Sequence, residues 1–272
     1  MWRFALKESG RWALALLGAL AIAVGVSALE TGGHGYGVAV VRRLAGFLSL
    51  DFGTSALSGA GAAAELGGHG PITLRIMLLG SAIAILLGLP LGLLLGTAGL
   101  RRATAPLVQI ISSAPVFCAG LALAYAAHAF GFAPEGEWGS LLLPGLTVGL
   151  AGAAAIQTTM RAAASTYQNA PFRNGLRRLG LPALEIERVH VLPRIFAALL
   201  GSLGEIMLTL LSACVVSEWV FGERGIADLF VRSVALRDWN MAALILFVFG
   251  GVTLTAAFLG RLCARRMDAT FA

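Results

Sequence analysis

Long runs without a single charged side chain constrain this chain more than any other feature. The segments Trp12–Leu29, Ile76–Leu100 and Trp138–Met160 contain no Asp, Glu, Lys or Arg. A helix needs about 20 apolar residues to cross the hydrocarbon core of a bilayer. Charged residues make up only 12% of the chain, whereas soluble globular proteins carry about 25%. The sequence therefore predicts an all-α membrane protein.

Three further apolar segments bring the expected number of transmembrane helices to about six. They lie within Ala103–Pro134, over Ile195–Val220 and over Trp239–Gly260. Most of the Lys and Arg residues fall at the two chain ends and in connections on the same side. Because basic residues beside a span resist translocation, both termini are predicted to be cytoplasmic. We expect a multi-pass protein of the cell (inner) membrane.

The chain divides into three parts at this level. Residues 1–30 hold a basic tail and the first transmembrane helix, although a basic start before an apolar run is also typical of a cleaved signal peptide. Residues 31–71 are too polar to span and are expected at the outer interface, with an amphipathic helix over Val38–Leu50. Residues 72–272 form the core. The apolar side of the amphipathic helix is predicted to consist of Val41, Leu44, Phe47 and Leu48, with Arg42 and Arg43 near the other side.

The loop Arg161–Arg194 is the longest polar interruption between two apolar blocks. It carries six arginines and two glutamates, which places it in the cytosol. Phe172, Leu176 and Leu179 are spaced as on one face of a helix. A Gly-Leu-Pro step at Gly180 should end that helix before a second one begins at Ala183. Two short helices joined by a glycine turn predict a surface for a cytoplasmic partner.

Several kinds of chemistry are excluded or lack candidates. Lys7 is the only lysine, so no phosphate-binding loop of the GxxxxGK[ST] type can exist, and ATP would have to be hydrolysed by another chain. The isolated histidines and scattered cysteines give no metal site, and no catalytic residues are identified. A nucleic-acid partner is rejected because the arginines cluster at span ends rather than on one polar face.

Two acids in the fifth predicted span, Glu205 and Glu218, are candidates for the substrate pathway. Ionisable side chains at membrane depth usually face the bundle interior or a water-filled route. Glu218 lies near the outer end, where it could instead be solvated or hydrogen-bonded. Glu205 is deeper and could either line a route for a cationic substrate or pair with Arg161 or Arg194. We favour the pairing.

Several motifs in order have a familiar spacing. The chain resembles the inner-membrane permease subunits of binding-protein-dependent ABC importers, specifically the dipeptide, oligopeptide and nickel group. The resemblance runs from about Leu44 to the carboxyl end. It rests on Leu48–Ser55 (LSLDFGTS), Gly88-x-Pro90-x-Gly92, Ser113-x-Pro115-x-Phe117, the loop glycine Gly180, Glu218-Trp-Val-Phe-Gly222 and Arg237-Asp238.

This resemblance implies a type I ABC importer permease whose 161–194 loop is the coupling loop of the core. Implied partners are a homologous second permease, two cytoplasmic ATPase subunits, an extracytoplasmic solute-binding protein and membrane lipid. This chain would need no cofactor, with ATP and Mg²⁺ in the partner subunits. The substrate would be a small peptide or a related solute such as nickel or a metal chelate. The implied ATPase-docking residues are Phe172, Arg173, Asn174, Gly175, Leu176, Arg177, Leu179 and Gly180.

The loop sequence of this chain departs from the family motif. The family has an acidic residue and two alanines in the loop where this chain has Asn174, Gly175 and Leu176.

The alternative function is a self-sufficient secondary transporter of a small cationic solute. Such proteins commonly contain inverted repeats, whereas this sequence shows no clear internal repeat and would have to couple ions through Glu205.

Overall fold

The part of the chain that can be described is helical throughout, apart from turns and one isolated β-bridge between Thr54 and Gly61. The computed structural model describes residues 2–28, 36–49, 51–56, 58–96, 115–132, 136, 139–168 and 170–271. The helices are α1 (Trp2–Ser27), α2 (Tyr36–Leu48), α3 (Ala62–Gly96), α4 (Val116–Ala129), α5 (Leu142–Gln168), α6 (Pro171–Arg178), α7 (Ala183–Glu185, a π-helical stretch Ile186–Val191, and Leu192–Gly201), α8 (Leu203–Phe221), α9 (Ile226–Ala235) and α10 (Trp239–Phe271).

Five helices in the described ranges are long and apolar enough to cross a membrane. The all-α membrane architecture predicted from the sequence is confirmed. The third predicted span is represented by α4, a shorter apolar helix, and the residues between α3 and Pro115 lie outside the described ranges. The five long segments are Phe4–Ser27, Ala62–Leu93, Leu142–Tyr167, Leu203–Phe221 and Trp239–Met267.

The core of the protein is built on the contact between α3 and α5. Glycines on each helix leave room for large side chains of the other. A Cβ at Gly80 would lie 2.6 Å from Val148 Cγ1, and one at Gly92 would lie 2.7 Å from Met160 Sδ. Small residues that let backbones approach are typical of helix pairs in membranes. This close packing fixes α3 and α5 as one unit, onto which α8 and part of α7 pack.

The second span begins earlier than the sequence suggests. We expect a polar outer segment up to Pro71, but α3 starts at Ala62 and contains both Pro71 and Pro90. Its first turns pack into a separate outer core, where Ala62 and Leu66 contact a cluster that includes Leu229. Proline is tolerated in a helix that neighbouring helices support. Tertiary packing therefore overrides the local helix-breaking signal.

The fifth predicted span is broken. Its residues form the end of α7 and all of α8, with Ser202 between them in a non-helical conformation (φ −94°, ψ 9°). At this point α10 packs very close to the backbone of the broken span. A Cβ at Gly260 would collide with the carbonyl oxygen of Leu200. The prediction of one continuous span over Ile195–Val220 did not include this break. The span therefore consists of two helices joined at Ser202.

Helix α2 exists as predicted, but its buried face differs. Phe47 is buried with edge-on ring contacts to Phe52 and Phe247, at centroid distances of 5.3 and 5.6 Å. Val41, placed on the apolar side in the prediction, is 67% exposed. Arg43, placed on the other side, donates a 2.7 Å hydrogen bond to Asn240 Oδ1 at the start of α10. A buried polar partner thus changes which face of α2 contacts the protein.

Candidate functional site

The predicted helix–glycine–helix arrangement of the cytoplasmic loop is present in the structure. Helix α6 begins with Pro171, and the chain turns at Gly180, which has a φ of +85°. Leu181 N–H donates to Leu176 O (3.2 Å) and Gly180 N–H donates to Arg177 O (3.0 Å). These two bonds are the pair that defines a Schellman C-cap, for which glycine is the preferred residue. A fixed turn therefore joins α6 to α7.

Helix α6 is fastened to α7 by charged side chains as well as by apolar packing. The Arg194 guanidinium lies 4.4 Å from the centroid of the Phe172 ring, within the range of a cation–π interaction. Arg173, only 8% exposed, forms an ion pair with Glu187 in the π-helical stretch of α7. Because these two contacts join α6 to α7, displacement of α6 would carry α7 with it.

The predicted docking residues fall into two groups. Phe172 and Leu176 are partly buried against this chain's own core, and Arg173 is occupied by Glu187. Leu179, in contrast, is 77% exposed. The apolar spacing identified a buried side of α6, and periodicity alone could not tell which surface covers that side. The exposed members of the predicted set are Asn174, Gly175, Arg177, Leu179 and Gly180.

Three further exposed side chains lie close to this group in the sequence and were not part of the prediction. Arg178 follows Arg177 on α6, Leu184 is 68% exposed at the start of α7, and Arg188 is exposed one turn further on. Exposed leucines beside arginines would suit a partner groove with apolar and acidic parts. We call this set of exposed residues the loop face: Asn174, Arg177, Arg178, Leu179, Leu184 and Arg188.

A second cluster lies at the outer end of the bundle around Glu218, whose side chain is fully buried. Its carboxylate accepts hydrogen bonds from the Thr73 hydroxyl (2.6 Å), the Asp228 backbone N–H (2.8 Å) and the Cys214 thiol (3.4 Å). The Thr73 oxygen in turn accepts the Ile226 N–H at 2.7 Å. A carboxylate is well placed at a helix amino terminus, where backbone N–H groups are unpaired.

This cluster joins three helices. Thr73 comes from α3, Glu218 from α8, and the N–H donors from the first turn of α9. Gly225 is required beside it, because a Cβ at that position would overlap the Glu218 carboxylate. The sequence analysis allowed Glu218 to be either solvated or hydrogen-bonded, and the structure shows it hydrogen-bonded. Its proposed contact with the substrate stays a prediction for the assembled transporter.

A neighbouring cluster holds the outer segment to α10. Asp238, 1% exposed, accepts hydrogen bonds from Ser55 Oγ and Ala56 N–H, both at 2.8 Å, and caps α10 through Met241 N–H at 3.0 Å. Of these residues, the sequence analysis named Ser55 and Asp238, only as parts of the motifs that carry the resemblance. Their contact across more than 180 positions explains why the short segment after α2 has a defined position.

The predicted pairing of Glu205 is wrong. Glu205 lies in the first turn of α8 with an exposed side chain, and no ion pair joins it to Arg161 or Arg194 among the residues that the structure describes. Arg194 instead lies over the Phe172 ring. The other possibility, that Glu205 faces the substrate route, stays a prediction.

Comparisons with known proteins agree with this architecture. The oligopeptide transport system permease protein AmiC of Streptococcus pneumoniae is 25% identical over 125 residues, which are 46% of this chain and 25% of AmiC. The oligopeptide transport system permease protein OppB of Haemophilus influenzae is 24% identical over 194 residues, which are 68% of this chain and 63% of OppB. The chain thus spans only part of the length of both relatives.

A solved structure has the same fold. It is described as an amino acid ABC transporter with histidines, and it superimposes with a TM-score of 0.60 at 20% identity, covering 75% of this chain and 94% of the other. At that identity the likeness concerns the fold alone. Residues 84–269 match the model of one protein family, which is more than half of the chain. The protein belongs to the binding-protein-dependent transport system inner membrane component family, the transmembrane subunits of ABC importers.

Proposed function

We propose that this chain is one of two homologous permease subunits that form the pathway of an ABC importer for small peptides. The observation that supports this most directly is the family match over residues 84–269. The peptide substrate is inferred from two relatives whose names describe oligopeptide transport. Nickel or a metal chelate is an alternative substrate only because the sequence motifs resemble those of the dipeptide, oligopeptide and nickel group.

The loop between α5 and α8 is proposed as the docking site of a cytoplasmic ATPase. Its loop face presents exposed leucines and arginines, and behind it α6 is tied to α7 by the Arg173–Glu187 and Phe172–Arg194 contacts. Helix α7 packs in turn on α5 and α10. A force applied to the loop face would therefore move the spans as a rigid body, as in other ligand-driven switches between two states.

The outer side is proposed to receive substrate from an extracytoplasmic solute-binding protein. Two surfaces there are held by buried carboxylates: residues 51–56, which Asp238 holds through Ser55 and Ala56, and α9, which Glu218 holds. ATP and Mg²⁺ would be bound by the two ATPase subunits, and this chain would contribute no catalytic group. The permease would change between outward- and inward-facing states as the ATPases close.

Purification with uptake measurements tests this function. The full chain, tagged and expressed with the products of its neighbouring genes, should co-purify with an ATPase subunit. Vesicles containing that complex should accumulate a labelled tripeptide only with the binding protein outside and ATP inside. Uptake by the isolated chain in response to an ion gradient without ATP would support a secondary transporter instead. If the vesicles accumulated radioactive nickel but no tripeptide, the proposed substrate would be nickel instead of a small peptide.

A further inference from the structure

Arg237, in the turn between α9 and α10, has the left-handed backbone conformation that usually requires glycine. Its φ is +60°, and it is the one residue other than glycine with a positive φ in the part of the chain that the structure describes. The Asp238 N–H donates to Ser233 O at 2.8 Å, and the Arg237 N–H donates to Val234 O at 3.2 Å. These are the two bonds of a Schellman C-cap. Backbone hydrogen bonds therefore fix the turn.

Three other helices of this chain end in a left-handed turn, and each of them uses glycine there. Gly131 follows α4 with a φ of +65°, Gly180 follows α6 with +85°, and Gly222 follows α8 with +72°. Glycine has no Cβ to crowd the neighbouring carbonyl, whereas an arginine in this conformation is strained. The turn explains how the chain reaches Asp238, but a glycine would make it with less strain. The fold itself therefore does not account for the side chain of Arg237.

The side chain of Arg237 is exposed and carries a charge that is available to a partner. No hydrogen bond or ion pair occupies it among the residues that the structure describes. Leu236 beside it is 64% exposed. Both residues lie at the end of the bundle opposite the loop face, on the side that charge placement predicts to be outside. Because arginines beside a span resist translocation, topology does not explain an arginine there either.

Arg237 lies between the two outer surfaces that are proposed to receive the binding protein. It directly follows α9, and Asp238 after it is buried. Asp238 Oδ2 holds the segment 51–56, and its Oδ1 accepts the Met241 N–H at the start of α10. Both oxygens of the adjacent acid are thus engaged by the protein interior. The guanidinium therefore stands on a firmly held backbone with its donors directed to no group of this chain.

We propose that Arg237 is a contact residue for the solute-binding protein and pairs with a carboxylate on the surface of that protein. This inference rests on the proposed function, because it needs a binding protein on the outer side. A guanidinium holds a carboxylate through two parallel N–H donors, which fixes the orientation of the partner as well as adding affinity. Charges at the edge of an interface also speed the encounter and make it sensitive to salt. Docking would offset the strain at position 237.

Uptake of a labelled tripeptide by vesicles containing the intact transporter, measured against the concentration of the binding protein from its neighbouring genes, tests the proposal. Arg237→Gly and Arg237→Asn both suit a left-handed turn, so neither should lower the melting temperature of the complex. Each should raise the KM for the binding protein about three- to fivefold at low ionic strength, with the maximum rate unchanged. Added salt should reduce the difference from the wild type.

Lys7→Gln provides the matched control. It removes one positive charge from an exposed side chain near the amino end, on the side predicted to be cytoplasmic. It should leave the KM for the binding protein at the wild-type value. An equal rise in this control would contradict a contact specific to Arg237, and a lower melting temperature in both Arg237 variants would assign that residue a structural role instead.

The remaining outcomes separate this inference from the function on which it rests. Absence of binding-protein-dependent uptake by the wild type would refute the proposed function and this inference with it. Normal wild-type uptake with an unchanged KM in both Arg237 variants would refute the inference alone. A lower maximum rate at an unchanged KM would place Arg237 on the peptide route. A difference that disappeared in vesicles of phosphatidylcholine alone would assign the arginine to anionic lipid headgroups, and either result would overturn the proposal.

Discussion

The hydroxyl of Thr73 connects the carboxylate of Glu218 to the start of α9. It donates to Glu218 Oε1 over 2.6 Å, while its oxygen accepts the Ile226 N–H over 2.7 Å. One side chain of the second span therefore completes the cap of an outer helix together with an acid of the fifth predicted span. The position of α9, one of the two outer surfaces proposed to receive the binding protein, depends on this arrangement.

Removing the Thr73 hydroxyl should destabilise the protein. In Thr73→Val, a buried Glu218 oxygen and the Ile226 N–H each lose a partner, which should lower the free energy of unfolding by about 1–3 kcal/mol. Thr73→Ser keeps the hydroxyl and serves as the control. Thermal unfolding of the detergent-solubilised chain provides the measurement. Equal melting temperatures for the valine and serine variants would contradict the assigned role of the hydroxyl.

A methyl group at Gly225 should be more damaging than its size suggests. Gly225 has backbone angles open to any residue (φ −91°, ψ −170°), so Gly225→Ala acts only through overlap with the Glu218 carboxylate. We expect a loss of about 1–3 kcal/mol, typical of overpacking. Gly251→Ala, where a Cβ would meet nothing within 4 Å, should be neutral or stabilising. Unfolding measurements that rank the two variants equally would refute the overlap.

The loop face and the buried side of α6 should behave differently. Leu179→Ser removes an exposed side chain and should weaken binding of the ATPase subunit about five- to tenfold, with no change in the melting temperature of the permease. Phe172→Ala should lower the melting temperature, because the ring contacts the core and Arg194. Pull-down of the ATPase and thermal unfolding separate the two effects.

An exposed leucine on the outer side provides the control for that comparison. Leu236 is 64% exposed in the turn after α9. Leu236→Ser should leave ATPase binding at the wild-type level. The docking proposal would fail if Leu179→Ser bound the ATPase as well as Leu236→Ser did.

The ion pair between Arg173 and Glu187 can be tested by exchanging its charges. Arg173→Glu places two acids side by side and should reduce both stability and ATP-driven uptake. Adding Glu187→Arg should restore much of the loss. The coupling energy should be about 0.5–1 kcal/mol, since Glu187 stays half exposed and water screens the pair. A double variant no better than the worse single variant would exclude a direct interaction.

The sequence predicted the elements whose signals are local. Charge-free runs identified the spans, and the Gly-Leu-Pro step at Gly180 identified the turn between α6 and α7. Helix α2 was also found, because its pattern lies within one helix. The sequence could not decide which surface covers a side chain. Phe172 and Leu176 contact the protein's own core, and Glu205 forms no ion pair with an arginine among the residues that the structure describes.

Composition and charge placement by themselves determined that this protein is a helical membrane protein, and they predict cytoplasmic ends and a basic inner loop. Those properties follow from the cost of putting charges and unpaired backbone groups into hydrocarbon, which acts on each segment separately. Only the tertiary structure decided the start of α3 at Ala62, the break at Ser202 and the burial of Glu218. Each depends on contacts between residues far apart in the chain, whose packing energies outweigh the local preferences that a sequence pattern can record.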